Sequence, residues 1–132
     1  MEYLSIVFAG ALIWLSALVQ HINTGRTKGP AFALSDRSEA LPDSGFTGRS
    51  ARTLRNNIES ALMYLPPMLI IILLGQQSAL TSYLATAYIA LRTAFTLAYW
   101  FRINLLRTAA WLGGMIVIAI TIGVAATTAL SL

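Results

Sequence analysis

SALMYLPPMLIIILLGQQSALTSYLATAYIAL, residues 60 to 91, is an unbroken run without a charged side chain. A helix needs about 20 apolar residues to cross a hydrocarbon core of about 30 Å, so this run is too long for one crossing and long enough for two. Gly75-Gln76-Gln77-Ser78 is the polar, glycine-containing break that divides it. Two membrane helices joined by a tight turn are therefore expected here.

The same test extends outward. Tyr3 to Gly25 lies uncharged between Glu2 and Arg26, and no charge follows Arg107 up to Leu132. Four helices result, at about 3–20, 52–74, 79–101 and 105–130, with residues 23–50 as a polar loop rich in Gly, Ser and Pro. The fold class expected is an all-α, integral membrane four-helix bundle, with residues 1–132 as a single domain. At 57% apolar and 11% charged, the composition lies far from that of a soluble domain. The N-terminus does not read as a cleaved signal peptide, because such peptides open with basic residues and the only early charge here is Glu2.

Several chemistries fall away. Without cysteine there is no disulfide, thiolate zinc site or cysteine nucleophile, and the single His21 leaves no metal site and no hydrolytic triad. There is no internal repeat and no nucleic-acid motif. The net charge of +4 is explained by membrane topology. Arg26, Lys28, Arg37 and Arg49 lie in the first loop, Arg52 and Arg55 at the next helix start, and Arg102 and Arg107 around the third loop. The positive-inside rule then puts both basic loops in the cytoplasm and both termini on the non-cytoplasmic side.

Arg52, Arg55, Asn56 and Glu59 fall at i, i+3, i+4 and i+7, one polar stripe at the cytoplasmic end of the second helix. Such groups are costly against lipid, so they should face other helices or a wet cavity. Tyr88, Arg92, Phe95 and Tyr99 make a similar stripe on the third helix. Arg92 is too deep to snorkel, and Glu59 is the only carboxylate inside a span, so either Glu59, backbone carbonyls or a polar ligand should meet it. Read without function, arginines near helix ends anchor headgroups, a role open to Arg49 and Arg102, and Tyr99 and Trp100 are interfacial aromatics.

The order Arg-x-x-x-Asn-x-x-Glu (Arg52, Asn56, Glu59), then Arg-x-x-x-x-x-x-Tyr (Arg92, Tyr99), then a short basic turn ending in Arg107, resembles the MAPEG family. These are membrane-associated proteins of eicosanoid and glutathione metabolism, and the likeness to a microsomal glutathione transferase runs from about residue 48 to 114. The resemblance implies a homotrimer binding glutathione at subunit interfaces near the cytoplasmic side. It further implies that Arg52, Arg55, Asn56, Glu59, Arg92 and Tyr99 bind the co-substrate, with Arg55 clamping a carboxylate, Glu59 taking the ammonium and Tyr99 donating a hydrogen bond. Arg107 and Thr108 would face the sulfur. Chemistry agrees, since arginines plus one carboxylate complement two carboxylates and an ammonium, and a nearby guanidinium favours thiolate. Departures from the family pattern are Leu54, where histidine is frequent, Phe95 at a position polar in some members, and Gln20 and His21 where the first helix would offer an arginine.

Two function classes follow. One is an enzyme activating glutathione for attack on a hydrophobic electrophile or a lipid hydroperoxide that arrives from the bilayer. The other is a non-catalytic trimeric membrane protein that binds a lipid or another thiol. Two packing expectations are independent of both: Ala9-Gly10-Ala11 and Gly113-Gly114 permit close helix approach, and Pro66-Pro67 should bend or open the second helix.

Overall fold

The computed structural model describes residues 1 to 131; Leu132, the last residue of the expected domain, lies outside them. Among the described residues the regular structure is all helical: α1 (Glu2–Lys28), the short α2 (Pro30–Ala33), α3 (Gly45–Leu73), α4 (Ala79–Trp100) and α5 (Asn104–Leu130). The expected first loop is much shorter than 23–50. α1 runs on to Lys28 because Gln20 to Lys28 contains no proline, and the Thr24 and Thr27 hydroxyls donate to the Gln20 and Asn23 carbonyls inside the helix. It stops at Gly29, whose φ of 83° favours glycine, followed by Pro30 at the start of α2. α3 begins at Gly45 rather than Arg52, since Thr47, Gly48 and Ser50 are buried. There Asn23 Nδ2 donates to Thr47 Oγ1 at 2.9 Å, tying α1 to α3.

Leu74 and Gly75, the latter at φ 66°, form the turn that ends α3, and Gln76 and Gln77 lead from it to α4. Ser78 and Thr81 then make a reciprocal capping box that starts α4. α1, α3 and α4 pack on one another, and α5 packs on α3 and α4. The centre is built on Tyr64 and Tyr88, stacked with ring centroids 3.7 Å apart, together with Met68, Ala85 and Ile118. At the end remote from the arginines the Thr81 hydroxyl donates to the buried Glu2 carboxylate at 2.6 Å.

Small polar side chains share the interior with the apolar core, and large apolar side chains face outward. Ser5, Ser16, Ser50, Thr53, Asn57, Ser60, Thr96 and Thr121 are buried, while Trp14, Leu62, Tyr83 and Leu105 are exposed. Apolar exteriors around hydroxyl-bonded interiors suit lipid as the solvent. α1, α3 and α5 are long and apolar enough to cross a membrane, and the chain is an integral membrane protein. The expected third span, α4, is not among the helices that meet this measure. Its threonines, tyrosines and Arg92 lower its hydropathy, although 22 residues of helix reach about 33 Å.

Two packing expectations change. Residues 45 to 73 form one helix through Pro66 and Pro67, so no local opening occurs there. The missing proline donors leave the Leu62 and Met63 carbonyls without their usual partners, while fully buried Tyr64, Met68 and Ile71 hold the helix on both sides. Of the small residues, Gly113 and Gly114 approach α4, a Cβ at Gly113 falling 3.1 Å from Leu91 Cδ2 and one at Gly114 3.9 Å from Arg92 Cδ. Gly10 has open space around it and makes no close approach within the chain.

Candidate functional site

Arg92 is 2% exposed and sits midway along α4. Both of its terminal nitrogens donate to Asn56 Oδ1 at 3.2 Å, and Nη2 also reaches Asn57 Oδ1. The guanidinium carbon lies 4.3 Å from the Phe95 ring centre, a cation over an aromatic face. Asn57 is the hub behind it, its Nδ2 donating to Ser16 Oγ at 2.8 Å and Thr96 Oγ1 at 3.1 Å. One amide thereby joins α1, α3 and α4. Asn57, unlike Asn56, is not among the site residues expected from the sequence, yet the sequence carries a signal for it. Ser50, Thr53, Asn57, Ser60 and Tyr64 recur at i, i+3, i+7, i+10 and i+14, and all five are buried.

Glu59 does not pair with Arg92. Its Oε1 accepts from Arg55 Nε at 2.9 Å, one helical turn away, with the two side chains 82% and 49% exposed for Arg55 and Glu59. The i, i+4 spacing on one helix makes that partner cheaper to reach than one across to α4. Glu59 and Arg92 nonetheless line one cavity of about 140 Å³ with Asn56, Ser60, Met63, Trp111, Met115 and Ile118. A second, of about 200 Å³, is lined by Asn56, Phe95, Tyr99, Arg107, Thr108 and Trp111. The third, of about 320 Å³, lies at the basic end between Gly45, Arg49, Arg52, Tyr99, Arg102, Asn104 and Arg107.

These cavities share walls. Asn56 and Trp111 belong to the first and second, Tyr99 and Arg107 to the second and third. Seven of the eight expected site residues therefore line one chain of cavities, and only Arg55 stands outside it. Arg107 lies over Tyr99, 5.1 Å from the ring centre, and Phe95 meets Tyr99 edge to face at 5.4 Å. Arg52 Nη1 donates to the Asp43 carbonyl at 2.9 Å. Gly48 allows that approach, since a Cβ there would lie 1.9 Å from the same oxygen. Thr108 is exposed, its hydroxyl turned back to the Asn104 carbonyl. Gln20 and His21 line a separate cavity with Phe32 and Glu39. Trp111, on α5, also lines the first two cavities, and Arg49, Arg102 and Asn104 add to the outer wall of the basic one; none of the four was expected there.

Chemically, the arrangement runs from a cationic end to an apolar wall. Guanidiniums can hold carboxylates, Tyr99 can donate to an anion, and Met63, Met115 and Ile118 offer only dispersion contacts. No curated protein and no solved structure matches the chain. The MAPEG family model matches residues 1–127, which takes in α1 to α4 and most of α5. With that match laid over the Arg52, Asn56, Glu59, Arg92 and Tyr99 pattern, the chain belongs to the MAPEG family.

Proposed function

We propose that the protein is a glutathione-dependent transferase or peroxidase of the membrane, working as a homotrimer of subunits that each cross the bilayer four times, with the basic end in the cytoplasm. One observation carries this reading: three neighbouring cavities that share lining residues lie in order from Arg52, Tyr99 and Arg107, past Asn56, to Glu59, Arg92 and an apolar wall. A polar thiol suits the first part and a small hydrophobic co-substrate from the bilayer the last. In this reading Arg52 and Arg55 take the carboxylates, Glu59 the ammonium, Asn56 and Tyr99 donate hydrogen bonds, and Arg92 holds Asn56 in place. Arg107, with Thr108 beside it, faces the sulfur. Its charge and the partial positive charge of the α5 N-terminus favour loss of the thiol proton to water; the thiolate then attacks the electrophilic carbon and displaces its leaving group as an anion, or attacks a peroxide oxygen and breaks the O–O bond, releasing an alkoxide that water protonates and a sulfenic acid that a second glutathione reduces to the disulfide. Exposure of Arg55 and Glu59 supports the trimer, since a neighbouring subunit would cover them.

A second reading, a non-catalytic trimer that binds a lipid or another thiol, is favoured by a different observation. Asn56 already serves Arg92, and Arg55 already holds Glu59, so these polar groups have partners within the chain. A thermal-shift series in detergent with glutathione and other small thiols separates the two, because a ligand bound only by the folded state raises stability by mass action. The first reading expects a saturable rise with glutathione that Arg52→Ala weakens. No rise with glutathione sinks it.

A further inference from the structure

The basic cavity carries more positive charge than a thiol tripeptide balances. Arg49, Arg52, Arg102 and Arg107 line it with Tyr99 and Asn104, and among the described residues no carboxylate does. Glutathione brings two carboxylates and one ammonium, a net charge of about −1 at neutral pH. Two of the arginines, Arg49 and Arg102, have no part in the proposed thiol site. Arg49 lies over the Phe46 ring at 5.6 Å, and its buried Nε has no hydrogen-bond partner among the described residues. Arg102, at φ 66°, is the left-handed residue that closes α4, with its N–H donating to the Tyr99 carbonyl and that of Ile103 to the Ala98 carbonyl, and its side chain lines the cavity.

Guanidinium forks match the oxygens of a tetrahedral anion, and a phosphate monoester carries about −1.5 to −2 near neutral pH, closer to what this cavity presents. We propose that the cavity binds a phosphate group, held by Arg49 and Arg102, with Arg52 and Arg107 adding charge. The cavity lies at the mouth of the helices, where a lipid headgroup and a free phosphate both arrive. The proposal does not depend on the thiol reading.

Protein purified in an uncharged detergent is melted in two series. One titrates inorganic phosphate against chloride at matched ionic strength; the other dopes the micelles with phosphatidic acid against phosphatidylcholine. A saturable rise in melting temperature over the control is expected in at least one series: the phosphate series assigns a free anion, the lipid series a headgroup. Arg49→Gln/Arg102→Gln should abolish the rise and keep any glutathione shift of the wild type. Should that variant not fold, Arg49→Lys/Arg102→Lys retains the charge without the fork and should weaken apparent affinity roughly tenfold. Flat responses in both series overturn the proposal, as does a rise undiminished in the variants, or loss of the glutathione shift in step with the phosphate shift. A wild-type response to phosphate with none to glutathione upholds this site and removes the thiol reading.

Discussion

Asn57 is the residue on which the interior depends most. An interhelical hydrogen bond in a membrane averages about 0.6 kcal/mol, and Thr96→Val should cost about that much. Asn57→Ala should cost more, about 2 to 3 kcal/mol, because it removes an acceptor from the buried Arg92 and a donor from both Ser16 and Thr96. Denaturation of the two variants in matched detergent checks the ranking, and equal losses would remove Asn57 as the hub. Arg55 and Glu59 behave oppositely. Theirs is an exposed pair one turn apart, so Glu59→Gln should change the stability of the subunit by about 0.5 kcal/mol or less. Any large loss of glutathione affinity in Glu59→Gln would then report on the ligand, not on the fold. The stripe of Arg52, Asn56 and Glu59 was legible in the sequence because ionisable side chains stand out in apolar helices. Arg92's true partners were not, because two amides do not advertise themselves as counterparts to a charge, and the choice between Glu59 and Asn56 is decided by rotation of α3 about its axis.

At the scale of elements, the polar, glycine-containing break at residues 75 to 78 marked the boundary between α3 and α4, and the ends of the uncharged runs marked the other helices less well. They misled where polar residues continue the helix, as between His21 and Lys28, since hydropathy reports where a helix leaves the lipid and not where it stops. At Pro66 and Pro67 the helix does not open, because packing of Tyr64, Met68 and Ile71 holds α3 together across them. The glycines divide by their surroundings. Gly48→Ala drives a methyl into the Asp43 carbonyl, a backbone atom that moves only with the segment before α3, so a loss of about 1 to 3 kcal/mol is expected. Gly10→Ala meets nothing and should lie within about 0.5 kcal/mol of wild type. Melting temperatures of the two variants test this contrast; a neutral Gly48→Ala would mean that the segment before α3 is not seated as described.

For the whole molecule, the basic residues gather at one end: Arg49 and Arg52 meet Arg102 and Arg107 around one cavity, while Glu2 and Thr81 close the opposite end. Cysteines placed singly at Ser44 and Ser131 of this cysteine-free chain should label from opposite sides of the membrane, because α5 carries the chain from the basic end to the other. Labelling from one side would contradict four crossings. Family membership was legible from a few spaced polar residues, whereas the neighbouring cavities were not, since they arise from α4 and α5 closing over α3. Activation of a thiol by Arg107 is the central claim, and ultraviolet difference absorbance of glutathione thiolate on the purified protein tests it most directly. Wild type should show a thiolate band at a pH where free glutathione shows almost none, and Arg107→Ala should bind glutathione with nearly unchanged affinity while losing the band and roughly tenfold or more of turnover. Glutathione bound to the wild type without a thiolate band, or a band undiminished in Arg107→Ala, would contradict it.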